Sequence, residues 1–182
     1  MIYVVPFSTD GALVKENFAR KNKGQLADEA QQLLAEALAA DLSKQIAPAR
    51  VVKRGQVPGR DGWIISGRFT RIAEGSRILR MGIGLGLGGT KMETDVNVRN
   101  LPPSNPPFLH FATTGGSNAE PGAATSPIPF SAAPVALLQT KGGVTDDARR
   151  TARMITATVG EYMVQRGWLA AGQIPKPKSA RQ

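Results

Sequence analysis

Cysteine is absent from this sequence of 182 residues, and histidine occurs only once, at His110. Without thiols the chain can form no disulfide, no cysteine nucleophile and no cysteine-based zinc site. Any metal site would have to be built from carboxylates, and no pattern of acidic residues indicates one. We therefore expect no metal ion and no cofactor.

Long apolar runs are also missing, since none approaches the roughly 18 residues that indicate a transmembrane helix. The segment from Met1 to Phe7 has no basic region and too short an apolar stretch for a signal peptide. Because the sequence begins inside a predicted strand, an upstream leader that has been trimmed away stays an open alternative.

Aromatic residues make up only 5% of the chain, whereas hydrophobic residues make up 41% and charged residues 20%. These values are typical of a globular protein, and the length is sufficient for one domain with a real core. We predict a single domain over residues 1–170 and a flexible basic tail over residues 171–182. The formal net charge of +9 favours anionic partners, which include nucleic acid, lipopolysaccharide and anionic lipid.

Helical periodicity is strongest between Gln25 and Ile46, where small and aliphatic residues recur every three or four positions. Pro48 then stops the helix, because proline cannot donate the backbone hydrogen bond that a further turn needs. A second helix is predicted to begin at Thr145, a suitable N-cap residue, and to end near Gly167.

Five segments carry strand patterns, and the longest begins at Trp63. Trp63, Ile65 and Phe69 alternate with polar neighbours there, so we expect their shared face to be buried. The other four segments are Ile2–Phe7, Val51–Val52, Met92–Val98 and Phe108–Thr113. The pattern predicts an α+β fold, a two-layer sandwich whose mixed, mainly antiparallel sheet of about five strands is covered by two long helices.

The most unusual stretch is a glycine track from Arg80 to Gly89, RMGIGLGLGG. Gly84, Gly86 and Gly89 satisfy the G-x-G-x-x-G spacing of a dinucleotide site. A strand pattern follows the track instead of a helix, and no acidic residue lies about twenty positions further on, so nucleotide binding is disfavoured. Close backbone packing, a bend in the chain, or apolar contact with a membrane or a second subunit remain as interpretations.

No set of residues indicates catalysis. His110 lies in an apolar strand, and no serine or aspartate partner is set by its spacing. Glu74, Glu93 and Asp95 could pair across a hairpin, but they fit a solvated face better. We therefore predict that the protein is not an enzyme.

The stretch from Gly67 to Val98 carries a resemblance to a bacterial family. Its Gly-Ser-Arg turn at Gly75–Arg77, the glycine track that begins at Arg80 and the polar-alternating strand after it resemble small exported lipoproteins catalogued as domain of unknown function 4410 (DUF4410). The resemblance covers roughly residues 2 to 165. The same stretch is more distantly similar to the curli-secretion channel lipoprotein of the outer membrane.

This resemblance implies a non-enzymatic protein of the cell envelope. It would be periplasmic or anchored to the outer membrane if a lipidated leader has been trimmed away, and cytoplasmic otherwise. It would act by self-association, as a homo-oligomer, or by binding a protein partner, with an anionic membrane or lipopolysaccharide as a further surface. The chain has no insertion long enough for transmembrane hairpins, so we expect no pore. The alternative is a basic nucleic-acid-binding module, which scattered cations and scarce aromatics disfavour.

Two surfaces are the predicted partner-binding sites. One is the glycine track with its rim, which comprises Arg77, Arg80, Gly82, Gly84 and Gly86. The other is the long, nearly uncharged loop from Gly115 to Pro129, which is predicted to be mobile.

Overall fold

A computed structural model of the chain describes residues 1–15, 23–56, 61–73, 91–102, 106–116, 144–170 and 172. Within these ranges six strands and two helices follow one another along the chain. In chain order they are β1 (Ile2–Val4), β2 (Leu13–Lys15), α1 (Lys23–Gln45), β3 (Ala49–Val51), β4 (Trp63–Ala73), β5 (Lys91–Asn100), β6 (Leu109–Gly116) and α2 (Val144–Gln165).

The strands form one mixed sheet in the order β3-β1-β4-β5-β6, with β2 beside β4. The long strands β4, β5 and β6 are antiparallel neighbours, whereas β1 runs parallel to both β3 and β4. The predicted α+β fold is therefore confirmed. The sheet has six strands, and β2 is the one that does not correspond to any of the five predicted segments.

Both helices pack on one face of the sheet and bury the apolar stripes predicted for them. On α1, Leu26, Leu34, Leu38 and Leu42 are fully buried, and the matching stripe of α2 centres on Ile155. Burial of each such side chain contributes about 2 kcal/mol to the free energy of unfolding, because its apolar surface is removed from water. The two stripes and the facing strands form the main core.

On β4, the side chains that point toward the helices follow the predicted alternation as far as a register shift between Phe69 and Arg71. Ile65 and Phe69 are buried as expected, and Trp63 is half-buried at the end of β4. An extra residue in a strand reverses which side chains point inward, so Ile72 is buried after the shift. The bulge explains why strict alternation from Trp63 does not account for the whole of β4.

A smaller apolar cluster covers part of the opposite sheet face. Tyr3, Val52 and Leu101 are buried together there, and the guanidinium of Arg50 lies 5.1 Å from the centre of the Tyr3 ring. The helices do not cover this face, and most of the remaining side chains of β4, β5 and β6 on it are polar. That polar surface is the first place where binding groups can be sought.

The C-terminus of α2 ends in a Schellman motif, as the position of Gly167 predicted. Gly167 has a φ of 72°, which lies in the left-handed region that favours glycine. Its amide donates to the Val164 carbonyl, and the Trp168 amide donates to the Met163 carbonyl at 2.8 Å. The motif fixes the backbone of Trp168 where the helix stops.

Gly67 is required where β4 passes beneath an aromatic ring. A β-carbon at this position would lie 2.7 Å from the Phe7 ring and would also clash with the backbone carbonyl of Asp95. Phe7 is buried and packs 6.1 Å from the ring of Phe69. The missing side chain of Gly67 is thus the space that lets the segment after β1 lie against β4.

We predict that Gly67→Ala lowers the free energy of unfolding by at least about 2 kcal/mol, because the carbonyl of Asp95 cannot move without breaking the ladder. Chemical denaturation measures the change. Gly172→Ala is the matched control, since no atom lies within 4 Å of a β-carbon there. Equal stability of the two variants would show that β4 yields easily at Gly67.

Candidate functional site

The glycine-track surface predicted from the sequence, Arg77, Arg80, Gly82, Gly84 and Gly86, lies outside the described residues. The described flanks place it between β4 and β5, because Ala73 pairs with Lys91 across the hairpin. The predicted loop from Gly115 begins inside β6, which extends through Gly116, and the rest of it also lies outside the described residues. Neither predicted surface can be tested on the described part of the chain.

Three charged or titratable side chains meet on the polar face of the sheet. Asp95 on β5 accepts a hydrogen bond from the Arg68 Nε at 3.3 Å, and its other oxygen lies 2.5 Å from the His110 Nε2. Sequence spacing gave His110 no partner, because Asp95 reaches it only through the register of β5 against β6. The structure therefore corrects that interpretation.

Asp95 and Glu93 each face an arginine of β4 and do not share a site. Glu93 lies 3.9 Å from the Arg71 Nη1, while Asp95 contacts Arg68. This arrangement agrees with a solvated, ion-paired face. Glu74, the third carboxylate considered from the sequence, lies outside the described residues.

A shallow depression of about 350 Å³ adjoins Asp95 on this face. Arg54 reaches over its rim, where its Nη2 donates to the Pro6 carbonyl at 3.1 Å and its Nη1 lies 3.9 Å from Asp10. The depression is lined by Val5, Pro6, Ser8, Arg54, Ser66, Gly67, Arg68, Asp95 and Asn97. Its polar groups are two arginines, the Asp95 carboxylate and the hydroxyl or amide groups of Ser8, Ser66 and Asn97, so it offers hydrogen-bond donors and acceptors.

The described ranges hold neither a catalytic arrangement of serine and histidine nor a metal site built from carboxylates. In those ranges the His110 Nε2 is hydrogen-bonded to the Asp95 carboxylate and not to a serine or threonine hydroxyl. The same ranges contain no group of three or more His, Asp or Glu residues that could hold a metal ion. The His110–Asp95 pair is a hydrogen-bonded contact on the polar face of the sheet.

The two edges of the sheet differ in how well they are protected. The edge strand β3 is three residues long and carries the exposed Arg50. The opposite edge strand, β6, is eight residues long and contains neither lysine nor proline. Among the described residues no strand pairs with the outer side of β6. Such an edge presents free backbone donors and acceptors along its length.

Aromatic rings collect at one end of the sandwich, in a cluster we call the aromatic pole (Trp63, Phe108, Tyr162 and Trp168). The ring of Trp63 lies 5.0 Å from that of Phe108 and 5.6 Å from that of Trp168. Tyr162 completes the cluster at 5.4 Å from Phe108 and 6.1 Å from Trp168. Trp168 nevertheless keeps 56% of its surface exposed.

Sequence reasoning missed the aromatic pole. Its members come from β4, from the residue before β6 and from the end of α2, so no local spacing brings them together. The available signal was Trp168 itself, a tryptophan that follows the capping glycine in a chain with few aromatics.

Two carboxyl groups on the helices have raised pKa values. Burial raises the pKa of Glu161 above its ordinary value of 4.5. Burial also raises the pKa of Asp41, and the nearby charges of Arg153 and Lys44 offset part of that effect. Both groups are thus less easily ionised in the folded protein than in the unfolded chain.

Comparison with known proteins gives one family match. The family described as domain of unknown function (DUF4410) matches residues 2–134. No curated protein matches the chain. Within the described residues no helix is long and apolar enough to cross a membrane.

Solved structures give distant likenesses. A PelC dodecamer from Paraburkholderia phytofirmans is 12% identical, with a TM-score of 0.40, over 85% of this chain and 82% of that one. A candidate lipoprotein from Caulobacter crescentus CB15 is 16% identical, with a TM-score of 0.40, over 89% of this chain and 91% of that one. Likeness at this level assigns neither an activity nor an assembly to this chain.

We predict that Asp95→Asn lowers the free energy of unfolding by no more than about 1 kcal/mol, because its partners Arg68 and His110 are exposed and solvent screens the pairing. Urea denaturation measures the change, with the fully solvated Asp10→Asn as the control. A loss several times larger would mean that the network organises the sheet.

We predict that Glu161→Gln stabilises the protein at pH 7. A folded-state pKa above the unfolded one makes ionisation of Glu161 unfavourable for folding at neutral pH, and this cost disappears as pH falls through both values. The gain in melting temperature should therefore shrink between pH 7 and pH 4. Glu36→Gln on the exposed face of α1 is the control. A gain that is equal at both pH values, or a loss at pH 7, would contradict the assignment.

Proposed function

The chain belongs to the family described as domain of unknown function (DUF4410), and from that premise we propose that it is a non-enzymatic cell-envelope protein that self-associates by strand addition at β6. The family match spans most of the sequence. The envelope location is supported by the lipoprotein character of the family that the sequence resembles. The observation that carries the mode of action is the long outer edge of β6, with which no other described strand pairs.

The non-enzymatic part of the proposal is supported by how the polar side chains are used. Asp95, Glu93 and Asp147 each contact an arginine, and the side-chain contacts of the polar sheet face join its neighbouring strands to one another. The shallow depression beside Asp95 brings no acid and base together around a space for substrate. A sheet face of this kind holds its shape and does not perform chemistry.

Self-association is supported by the composition of β6. Edge strands are normally protected by lysine, proline, a bulge or short length, and β6 has none of these features along Leu109–Gly116. Its only titratable side chain is that of His110. An added strand would therefore gain main-chain hydrogen bonds without burying an unpaired lysine or arginine.

The partner that we propose for this edge is the β6 strand of a second copy of the chain, which can pair with its backbone donors and acceptors. Two β6 strands can pair antiparallel about a twofold axis at Ala112. Residues whose side chains point to the same face of the sheet then lie opposite each other. The buried face of one sheet then continues into that of the other, and both helical layers lie on one side. In this arrangement Ala112 lies directly opposite its own copy.

The arrangement of the cations does not favour the nucleic-acid alternative. Most of the described arginines contact a carboxylate or an aromatic ring within the chain itself. The arginines with such contacts are Arg50, Arg54, Arg68, Arg71, Arg149, Arg150 and Arg166.

We predict that Ala112→Lys weakens or abolishes the multimer, because it places two like charges opposite each other at the twofold axis. Native mass spectrometry of the untagged protein, at low and moderate salt, measures the oligomeric state. The wild-type chain should give a defined multimer that survives salt, since main-chain hydrogen bonds are less screened than surface charges.

Thr70→Lys is the matched control, because Thr70 is exposed on the interior strand β4. It adds the same charge without touching the edge of the sheet, and its oligomeric state should equal that of the wild type. A wild-type monomer, or a multimer that Ala112→Lys leaves intact, would refute self-association through β6. A monomer that carries nucleic acid removable by salt would support the alternative function instead.

A further inference from the structure

We propose that the aromatic pole is a docking surface for an anionic lipid bilayer. The inference rests on the envelope location in the proposed function, but it does not depend on self-association through β6. The chain is poor in aromatic residues, and yet both tryptophans and one of its two tyrosines lie at this one end. Tryptophan and tyrosine are enriched where a protein meets the boundary between lipid and water, because each ring has an apolar body and a polar edge.

Trp168 is held in an exposed position by the fold. The Schellman motif fixes its backbone through the hydrogen bond to Met163, and the rings of Trp63 and Tyr162 support one side of its indole. A hydrophobic residue after a capping glycine commonly packs against the last turn of its helix. The indole of Trp168 does this only in part, since 56% of its residue surface faces solvent. An exposed but immobilised ring costs little conformational entropy when it binds.

The surroundings of the aromatic pole are complementary to an anionic surface. The exposed Arg166 extends its guanidinium over the Tyr162 ring at 5.1 Å. No acidic residue lies between Glu161 and Gln182, whereas that part of the sequence contains Arg166, Lys176, Lys178 and Arg181. Basic residues next to an interfacial tryptophan attract the head groups of anionic lipids. Among the described residues, Arg166 therefore supplies a charge of the sign that such a bilayer requires.

Other exposed apolar side chains do not form a comparable surface. Leu13 is more exposed than Trp168, at 64%, but it is aliphatic and lies beside Arg71 toward the opposite end of β4. Met1, by contrast, lies at the same end as the aromatic pole, where its carbonyl accepts a hydrogen bond from the Trp63 amide. Within the described ranges, Met1 and Trp168 are two of four large exposed apolar residues, and both lie at the end with the aromatic rings.

Vesicle co-sedimentation of the full 182-residue chain tests the inference. Vesicles of phosphatidylcholine with 30% phosphatidylglycerol should bind the wild type, and vesicles of phosphatidylcholine alone should bind it at least about fivefold more weakly. Trp168→Ala should reduce binding to the anionic vesicles by about tenfold, whereas Leu13→Ala, the matched control, should leave it unchanged. Trp168→Phe should retain most of the binding, which separates loss of the apolar ring from loss of the fold.

Several results would overturn the inference. They are absence of binding to anionic vesicles, equal binding to neutral ones, and unaltered binding by Trp168→Ala. Ala112→Lys keeps the aromatic pole intact, so the inference predicts that this variant still binds. If the wild type is monomeric and binds vesicles through Trp168, self-association fails and membrane docking stands. If it is multimeric and ignores vesicles, the reverse holds.

Discussion

Burial of one face of the β4-β5-β6 sheet under α1 and α2 is the constraint on which the rest of the structure depends. It requires apolar side chains at alternate positions, and it leaves the opposite face to residues that tolerate water. The Arg68–Asp95–His110 contacts and the Arg71–Glu93 pair occupy that opposite face. Gly67 serves the same constraint, because the buried Phe7 can lie against β4 only where a side chain is missing.

Much of this arrangement could be predicted from local patterns. The alternation of β5 and the helical stripe around Leu34 identified buried faces correctly, since each depends on neighbours along the chain. Features that depend on pairing between distant segments could not be found in that way. The bulge after Phe69 reversed the facing of Ile72, the register of β6 brought His110 to Asp95, and three separate elements assembled the rings around Trp168. The predicted glycine-track surface stays a prediction.

The two proposed surfaces use different properties of the same sandwich. The edge of β6 offers main-chain hydrogen bonds, whose direction selects another strand as the partner. The aromatic pole offers rings and cations, which need no particular backbone and so suit a lipid surface. In the proposed antiparallel pairing about Ala112, Phe108 of one copy lies opposite Gly116 of the other, so the two aromatic poles lie at opposite ends of the joined sheet. The two copies therefore do not dock side by side on one flat bilayer, and each surface acts independently of the other.

The central claim is that a second copy covers the outer edge of β6, and hydrogen exchange measured at several protein concentrations tests it most directly. Amides of Leu109–Gly116 that face away from β5 have no strand partner among the described residues, so they should exchange quickly in dilute protein. The account predicts that their exchange slows as concentration rises, while the amides of the other edge strand, β3, are unaffected. Exchange in β6 that is independent of concentration would contradict the account.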